Sequence, residues 1–168
     1  SLATGLAFGL LLFAEVFYYY SFDSFYPDAN RLYVVNSVAK LDQSSEKLST
    51  HPRISGAIAP GLKAEVPGVE AATRVTSIGE LDFFSEEELT YNGSFVLADE
   101  YLHDLMPRPI LAGNKASEIL KTPMNCMVSN EIADKMGGNV IGKMIELKDY
   151  PGKKLTIGGV FEKLPENS

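Results

Sequence analysis

The chain has 168 residues, 45% hydrophobic and 22% charged, which suits one folded domain with a substantial core; it holds no low-complexity tract and no repeat of solenoid period. A net charge of −7 with a pI near 4.8 opposes binding to nucleic acid or to an anionic lipid surface. A single cysteine, Cys126, excludes an intrachain disulfide.

The chain opens on an apolar run. Residues 2–14 carry no charge, Glu15 interrupts, and Val16, Phe17, Tyr18, Tyr19, Tyr20, Ser21 and Phe22 follow. As one helix, residues 2–22 would span about 31 Å, near the thickness of a hydrocarbon core. The three tyrosines form the amphipathic aromatic band found at the headgroup level. The residues favour a membrane helix over its rivals, a core helix and a signal peptide. The basic n-region is absent or cut off, and Glu15-Val16-Phe17 supplies no small-x-small cleavage site. Gly5 and Gly9 make a G-x-x-x-G, a spacing that lets helices approach closely but is common by chance. Starting without methionine inside an apolar run, the chain is expected to be a fragment.

Residues 23–30 are rich in turn formers and read as the helix exit. Residues 31–39 are predicted as a strand and 40–50 as a polar loop or hairpin tip. Apolar spacing over 54–66 predicts a helix, starting near Ala59 because Pro60 fits only a first turn; Pro67-Gly68 ends it. Alternation predicts strands at 69–78 and 81–85. Residues 89–97 are expected to be a hairpin turning at Asn92-Gly93, which suits a type I′ turn. Asn92-Gly93-Ser94 is also a glycosylation sequon, but the turn accounts for it without a glycan.

Asp99 is predicted to cap a helix through Met106, stopped by Pro107 and Pro109, and Asn114 another through Leu120. Residues 124–128 read as a buried strand. Ser129 caps a helix over 130–136, closed by Gly137-Gly138. Residues 143–148 and 154–160 form a terminal hairpin across Asp149-Tyr150-Pro151-Gly152. Strands interspersed with short helices predict an α+β fold with a mixed or antiparallel sheet.

Few residues point to chemistry. Gly137-Gly138-Asn139-Val140-Ile141-Gly142-Lys143 matches G-x-x-x-x-G-K, yet Met144 lacks the hydroxyl a P-loop presents to Mg²⁺, and the motif runs from helix to strand. His51 and His103 have no partner at ligand spacing, and Glu86-Glu87-Glu88 lacks the alternation and glycine of a calcium loop. No serine lies in a G-x-S-x-G or S-x-x-K, and Cys126 sits among apolar neighbours as a structural thiol. Catalytic, cofactor and metal residues are therefore assigned as none. Between Arg74 and Arg108 there are eight acids and no Lys or Arg, so this stretch sets the net charge; a solvated face is favoured over a docking surface for a basic partner.

An ordered series of segments resembles the extracytoplasmic core of MacB/FtsX-type ABC transporter permeases. Gly5-Leu6-Ala7-Phe8-Gly9-Leu10 is similar to the end of that family's first membrane helix. Tyr20-Ser21-Phe22-Asp23-Ser24-Phe25 looks like its "YD-x-F" exit, and Ala29-Asn30-Arg31-Leu32-Tyr33-Val34-Val35 like its "ADRIYRV" strand, with Val34 replacing the usual Arg. Pro67-Gly68-Val69-Glu70-Ala71-Ala72-Thr73-Arg74 looks like "PEVE-x-x-TR". The helix from Val128 to Gly137, the Gly142-Lys143-Met144-Ile145 step and the closing segment from Thr156 to Ser168 resemble the family's later motifs. No single piece is specific; the series in the same order is.

The resemblance implies residues 1–22 as the remainder of the first transmembrane helix. Residues 23–168 would be the N-terminal portion of the extracytoplasmic core, a porter-like subdomain with an inserted β-rich one, its return half missing. It also implies a permease without a catalytic site in this chain and without cofactor, in a bacterial cytoplasmic (inner) membrane. The expected partners are a cytoplasmic ABC ATPase, separate or fused, a second permease copy, and a periplasmic adaptor or hydrolase. The expected role is coupling ATP hydrolysis to export, lipoprotein extraction or signalling. The alternatives are an FtsX-like relay module that activates a cell-wall hydrolase and, less favoured, a membrane-anchored enzyme.

Overall fold

The computed structural model describes residues 2–40 and 47–165, so part of the expected 40–50 loop and the last three residues of the closing motif lie outside the described residues. The chain divides into two units: residues up to Leu32 together with those from Lys163 onward, and Tyr33–Glu162. The first contains helix α1, Leu2–Tyr20, an irregular turn, and a short 3₁₀ turn at Ala29–Arg31.

The second unit has an α+β architecture. β1 (Ser37–Lys40) and β2 (Leu48–His51) pair antiparallel as a separate ribbon, and α2 (Ile58–Glu65) follows. A six-stranded sheet is then built from β3 (Val75–Ser85), β4 (Thr90–Ala98), β5 (Ile110–Gly113), β6 (Asn125–Ser129), β7 (Met144–Leu147) and β8 (Lys154–Phe161). The short helices α3 (Leu102–Leu105), α4 (Ala116–Lys121) and α5 (Asn130–Lys135) lie between its strands in sequence.

β8 is the hub of this sheet. β7 pairs with its first residues and β5 with its last, both antiparallel along one edge, while β6 runs parallel along the other. The β6 register skips one residue of β8, at Gly158, so Ile157 and Val160 both face the core despite being three apart. Gly158 and Gly159 leave room for Ile119: a Cβ on either would meet the Ile119 side chain at 2.9 or 2.7 Å and have to displace it, and Ile119 of α4 is itself 3% exposed.

The core collects Phe83, Val128, Ala133, Met136, Val140, Ile145, Leu147, Ile157 and Val160. Phe83 lies opposite Leu147 across the β3–β7 pair, meets Phe95 edge-on at 5.6 Å and stacks on Tyr91 at 5.6 Å. Helix α5 begins as its sequence dictates, with the Ser129 hydroxyl accepting from the Ile132 N–H at 3.4 Å. It ends in a paired-bond glycine cap: Gly138 N–H donates to the Ala133 carbonyl and Gly137 N–H to that of Asp134, with both glycines at positive φ. The terminal hairpin and the 125–129 strand also form as expected.

Several expectations are corrected. Asn92 and Gly93 do not turn; they pair with Asp82 and Leu81 inside β4, and the chain reverses between Ser85 and Leu89, where Glu88 takes φ +59°. Side-chain packing outweighs the turn preference here: Asn92 Nδ2 donates to Asp82 Oδ1 at 3.0 Å, and Gly93 lies beneath Ile132 and Phe83. The predicted strands at 69–78 and 81–85 become one strand, β3, that starts at Val75 and crosses a bulge between Ser77 and Gly79. The first strand is confined to Ser37–Lys40, because Ala29–Arg31 is 3₁₀ and 32–36 make no ladder; His51 and its neighbours form the second. Asp99 caps no helix, its carboxylate being held by Arg74, and α3 starts only at Leu102. Asn114 likewise is no cap, since Lys115 precedes α4.

Replacing Phe83 with Ala should destabilise the fold by about 3–5 kcal/mol and Ser129→Ala by about 1 kcal/mol. Urea unfolding followed by circular dichroism would check both; a Phe83→Ala cost near that of an exposed-site control would contradict this core.

Candidate functional site

In the first unit, the feature that bears on function is α1 and its exit. All nineteen residues form one uninterrupted helix with none buried, and their mean hydropathy is high enough to cross a membrane. The helix ends in an aromatic bracket. Phe22 folds back edge-on against Tyr18 at 5.2 Å and stacks on Tyr19 at 6.2 Å, while Phe25 packs on the buried Tyr26 at 4.3 Å. Ser21 Oγ donates to the Tyr18 carbonyl and Ser24 Oγ to the Ser21 carbonyl, so the exit is tied by consecutive local bonds, with Asp23 at φ +56°.

In the second unit, the most constrained polar feature is a clamp at the open end of the β3–β4 ribbon. Arg74 grips Asp99 through Nε and Nη2 at 2.8 and 2.7 Å, its backbone N–H also donates to Asp99 Oδ2, and Nη1 donates to the Gly56 carbonyl. These bonds hold the Asp99 carboxyl below the usual carboxylate range, against a smaller opposing effect of burial. The clamp thereby ties the ribbon to the segment before α2, and with Tyr101, over whose ring Lys63 Nζ sits at 4.7 Å, it lines an open groove.

The residues raised for chemistry are scattered. The P-loop-like glycines are spent on structure: the N–H groups of Gly137, Gly138 and Gly142 donate to the carbonyls of Asp134, Ala133 and Ile157, so they are not turned toward a phosphate. Val140 within the motif is fully buried. Burial pushes the Cys126 thiol up to about 12, which leaves it an unreactive thiol in β6. His103 sits edge-on to Phe161 at 6.2 Å, and desolvation followed by the charge of Arg108 lowers its pKa. His51 lies at the end of β2. Glu86, Glu87 and Glu88 form the β3–β4 turn, with Glu86 accepting from the Met144 N–H. Of the eight acids that set the charge, Asp82, Glu86 and Asp99 are engaged within the fold, Asp82 by Lys148 at 3.2 Å. Among the described residues no group of three or more His, Cys, Asp or Glu could hold a metal ion. Sequence reasoning missed the Arg74–Asp99 clamp, whose partners are far apart in sequence and acquire meaning only once β3 and β4 pair.

The model of the MacB-like periplasmic core domain matches residues 1–168, and the chain belongs to that family, the periplasmic module of an ABC transporter permease. A crystal structure of a permease-protein domain from Porphyromonas gingivalis is 34% identical, with a TM-score of 0.67 over 79% of this chain and 56% of that one. The periplasmic region of MacB from Actinobacillus actinomycetemcomitans shares the fold at 12% identity, with a TM-score of 0.53 over 64% of this chain and 50% of that one. This chain thus spans about half the length of each. No curated protein matches.

Acidification should destabilise the second unit in two stages. As pH falls below about 6.5 the unfolded chain takes up a proton that folded His103 resists, so stability declines first there, and His103→Phe should remove that stage. Stability from the Asp99 clamp, present in full above the unfolded carboxylate pKa of about 3.9, declines as pH falls below that value and is gone once pH has passed the lowered folded pKa of Asp99; Asp99→Asn should abolish this second loss. Thermal midpoints measured from pH 7.5 to 3 check both; superimposable wild-type and variant profiles would contradict them.

Proposed function

We propose that α1 is the remainder of the first membrane helix and that residues 23–168 are the N-terminal part of an extracytoplasmic core that works by being moved. A cytoplasmic ABC ATPase, separate or fused, supplies the motion. The permease acts as a pair of copies in the bacterial inner membrane, with a periplasmic adaptor or hydrolase as the further partner. The module couples ATP hydrolysis to export, lipoprotein extraction or signalling, and performs no covalent chemistry itself.

The observation that carries this reading is α1: an unbroken helix, long and apolar enough to cross a bilayer, with none of its candidate span buried. A core helix would hide one face at least. A continuous helix transmits displacement along its axis, and the aromatic bracket of Tyr18, Tyr19 and Phe22 stiffens the point where it leaves the bilayer.

Replacing Phe22 and Phe25 together with Gly in the intact permease should leave ATPase activity in place while transport falls several-fold. Transport per ATP equal to wild type would show that this exit transmits nothing.

A further inference from the structure

β4 is the outer strand of the six-stranded sheet: β3 pairs with one side of it, and no described strand pairs with the other. The two ends of the β3–β4 ribbon fix which β4 residues bond to β3. Ser85 N–H donates to the Leu89 carbonyl, and Asp99 N–H donates to the Arg74 carbonyl. An antiparallel ladder alternates, and the extra residue at the bulge, Ile78, belongs to β3, so the odd-numbered positions from 89 to 99 face β3 throughout. Thr90, Asn92, Ser94, Val96 and Ala98 therefore turn their backbone N–H and C=O groups to the open side. The Asp82 carbonyl confirms this phase: opposite Asn92, it points away from β4 and accepts from the Lys148 N–H at 3.0 Å.

Edge strands of this length are blunted in folded proteins by charge, proline or a bulge. β4 has none of the three. Thr90–Ala98 contains no charged residue and no proline, and Thr90, Asn92, Ser94 and Val96 are exposed. The Arg74–Asp99 clamp anchors its far end, so the edge is held in place before anything binds. Charge lies at the ends of the strand instead. Glu87 and Glu88 precede it, Glu100 follows it, and Glu80 lies opposite Ser94 on β3; none has an ion-pair partner among the described residues. From position 75 through 98 there is no Lys or Arg. Acids alone describe a solvated face, but acids that bracket an open edge select what can pair with it. A second β4 is a poor fit. Antiparallel pairing centred on Ser94 would set Glu88 against Glu100 of the second copy, and parallel pairing would set each acid beside itself.

We propose that the β4 edge docks an extended segment of a separate protein, which adds to the sheet as a further strand and carries Lys or Arg at both ends. Main-chain bonds to Thr90, Asn92, Ser94 and Val96 supply the affinity. The bases, set against Glu87 and Glu88 at one end and Glu100 at the other, select the partner and fix its register. One face of the incoming strand lies beside Tyr91 and Phe95 and the other beside Thr90, Asn92 and Ser94, so its residues alternate apolar and polar. The membrane helix plays no part in this contact.

The test uses the full-length permease in phosphatidylcholine nanodiscs and two synthetic peptides with the same alternating Thr-Val core, one ending in lysines and one in glutamates. Backbone hydrogen exchange across 90–98 is followed by mass spectrometry with and without each peptide. Expected is fast exchange at Asn92, Ser94 and Val96 in the permease alone, slowed several-fold by the lysine peptide only and less so at high salt. Ser94→Pro removes one outward N–H without touching the β3 ladder, and should weaken binding several-fold at an unchanged thermal midpoint. Glu87→Lys, Glu88→Lys and Glu100→Lys combined should transfer binding to the glutamate peptide. Slow exchange before any peptide is added would show that the permease, through its own chain or a second copy, already covers β4, and would overturn the proposal. Equal protection by both peptides, protection by neither, or a triple variant that still prefers lysine would overturn it as well.

Discussion

The apolar surface of α1 has no cover within the described structure, and this constraint organises everything else. From Leu2 to Tyr20 no residue is buried, and Leu2, Phe8, Phe17 and Tyr20 each expose 70% or more of their surface. A continuous apolar face of this length exceeds what a water-soluble monomer ordinarily shows. A bilayer would resolve the conflict, because a helix satisfies its own backbone groups and asks of the solvent only that it be apolar.

The second unit is built in the opposite manner. Its sheet converges on β8, which holds three strands at once, and the α5 side of the core is closed by Phe83, Val140, Ile145 and Ile157, each at most 2% exposed. The Ile119 side chain packs onto Gly158 and Gly159, where an added Cβ would have to displace it. Such packing has few ways to yield gradually, which suits a body displaced as a whole rather than one that deforms. Its acidic stretch is partly consumed inside the fold by Arg74 and Lys148, so net charge alone is a poor guide to a docking face.

Local signals were legible wherever a residue's own backbone decided the outcome. Ser129 as a cap, Gly137-Gly138 as a stop, the 149–152 turn and the apolar helix could all be read from the chain, and the permease resemblance followed from the order of such pieces. Legibility failed where tertiary pairing overrode preference. Asn92-Gly93 has the residues of a tight turn, but the β3–β4 register needs them flat against Asp82 and Leu81. Asp99 has the residue type of a cap, but an arginine twenty-five positions away claims its carboxylate. The bulges in β3 and at Gly158 broke the alternation from which strand ends are read. The candidate site was less legible still: Arg74 closes the Pro67–Arg74 segment, but nothing in that segment points to Asp99 as its partner.

The central claim is that α1 lies in lipid, and spin labels placed singly along residues 4–25 of the full-length protein in bilayers test it most directly. The account predicts labels at 6–13 open to oxygen and closed to a water-soluble nickel chelate, with chelate access rising beyond Tyr20. Labels at 6–13 shielded from both reagents on one face and reached by the chelate on the other would place α1 against a water-soluble core and contradict it.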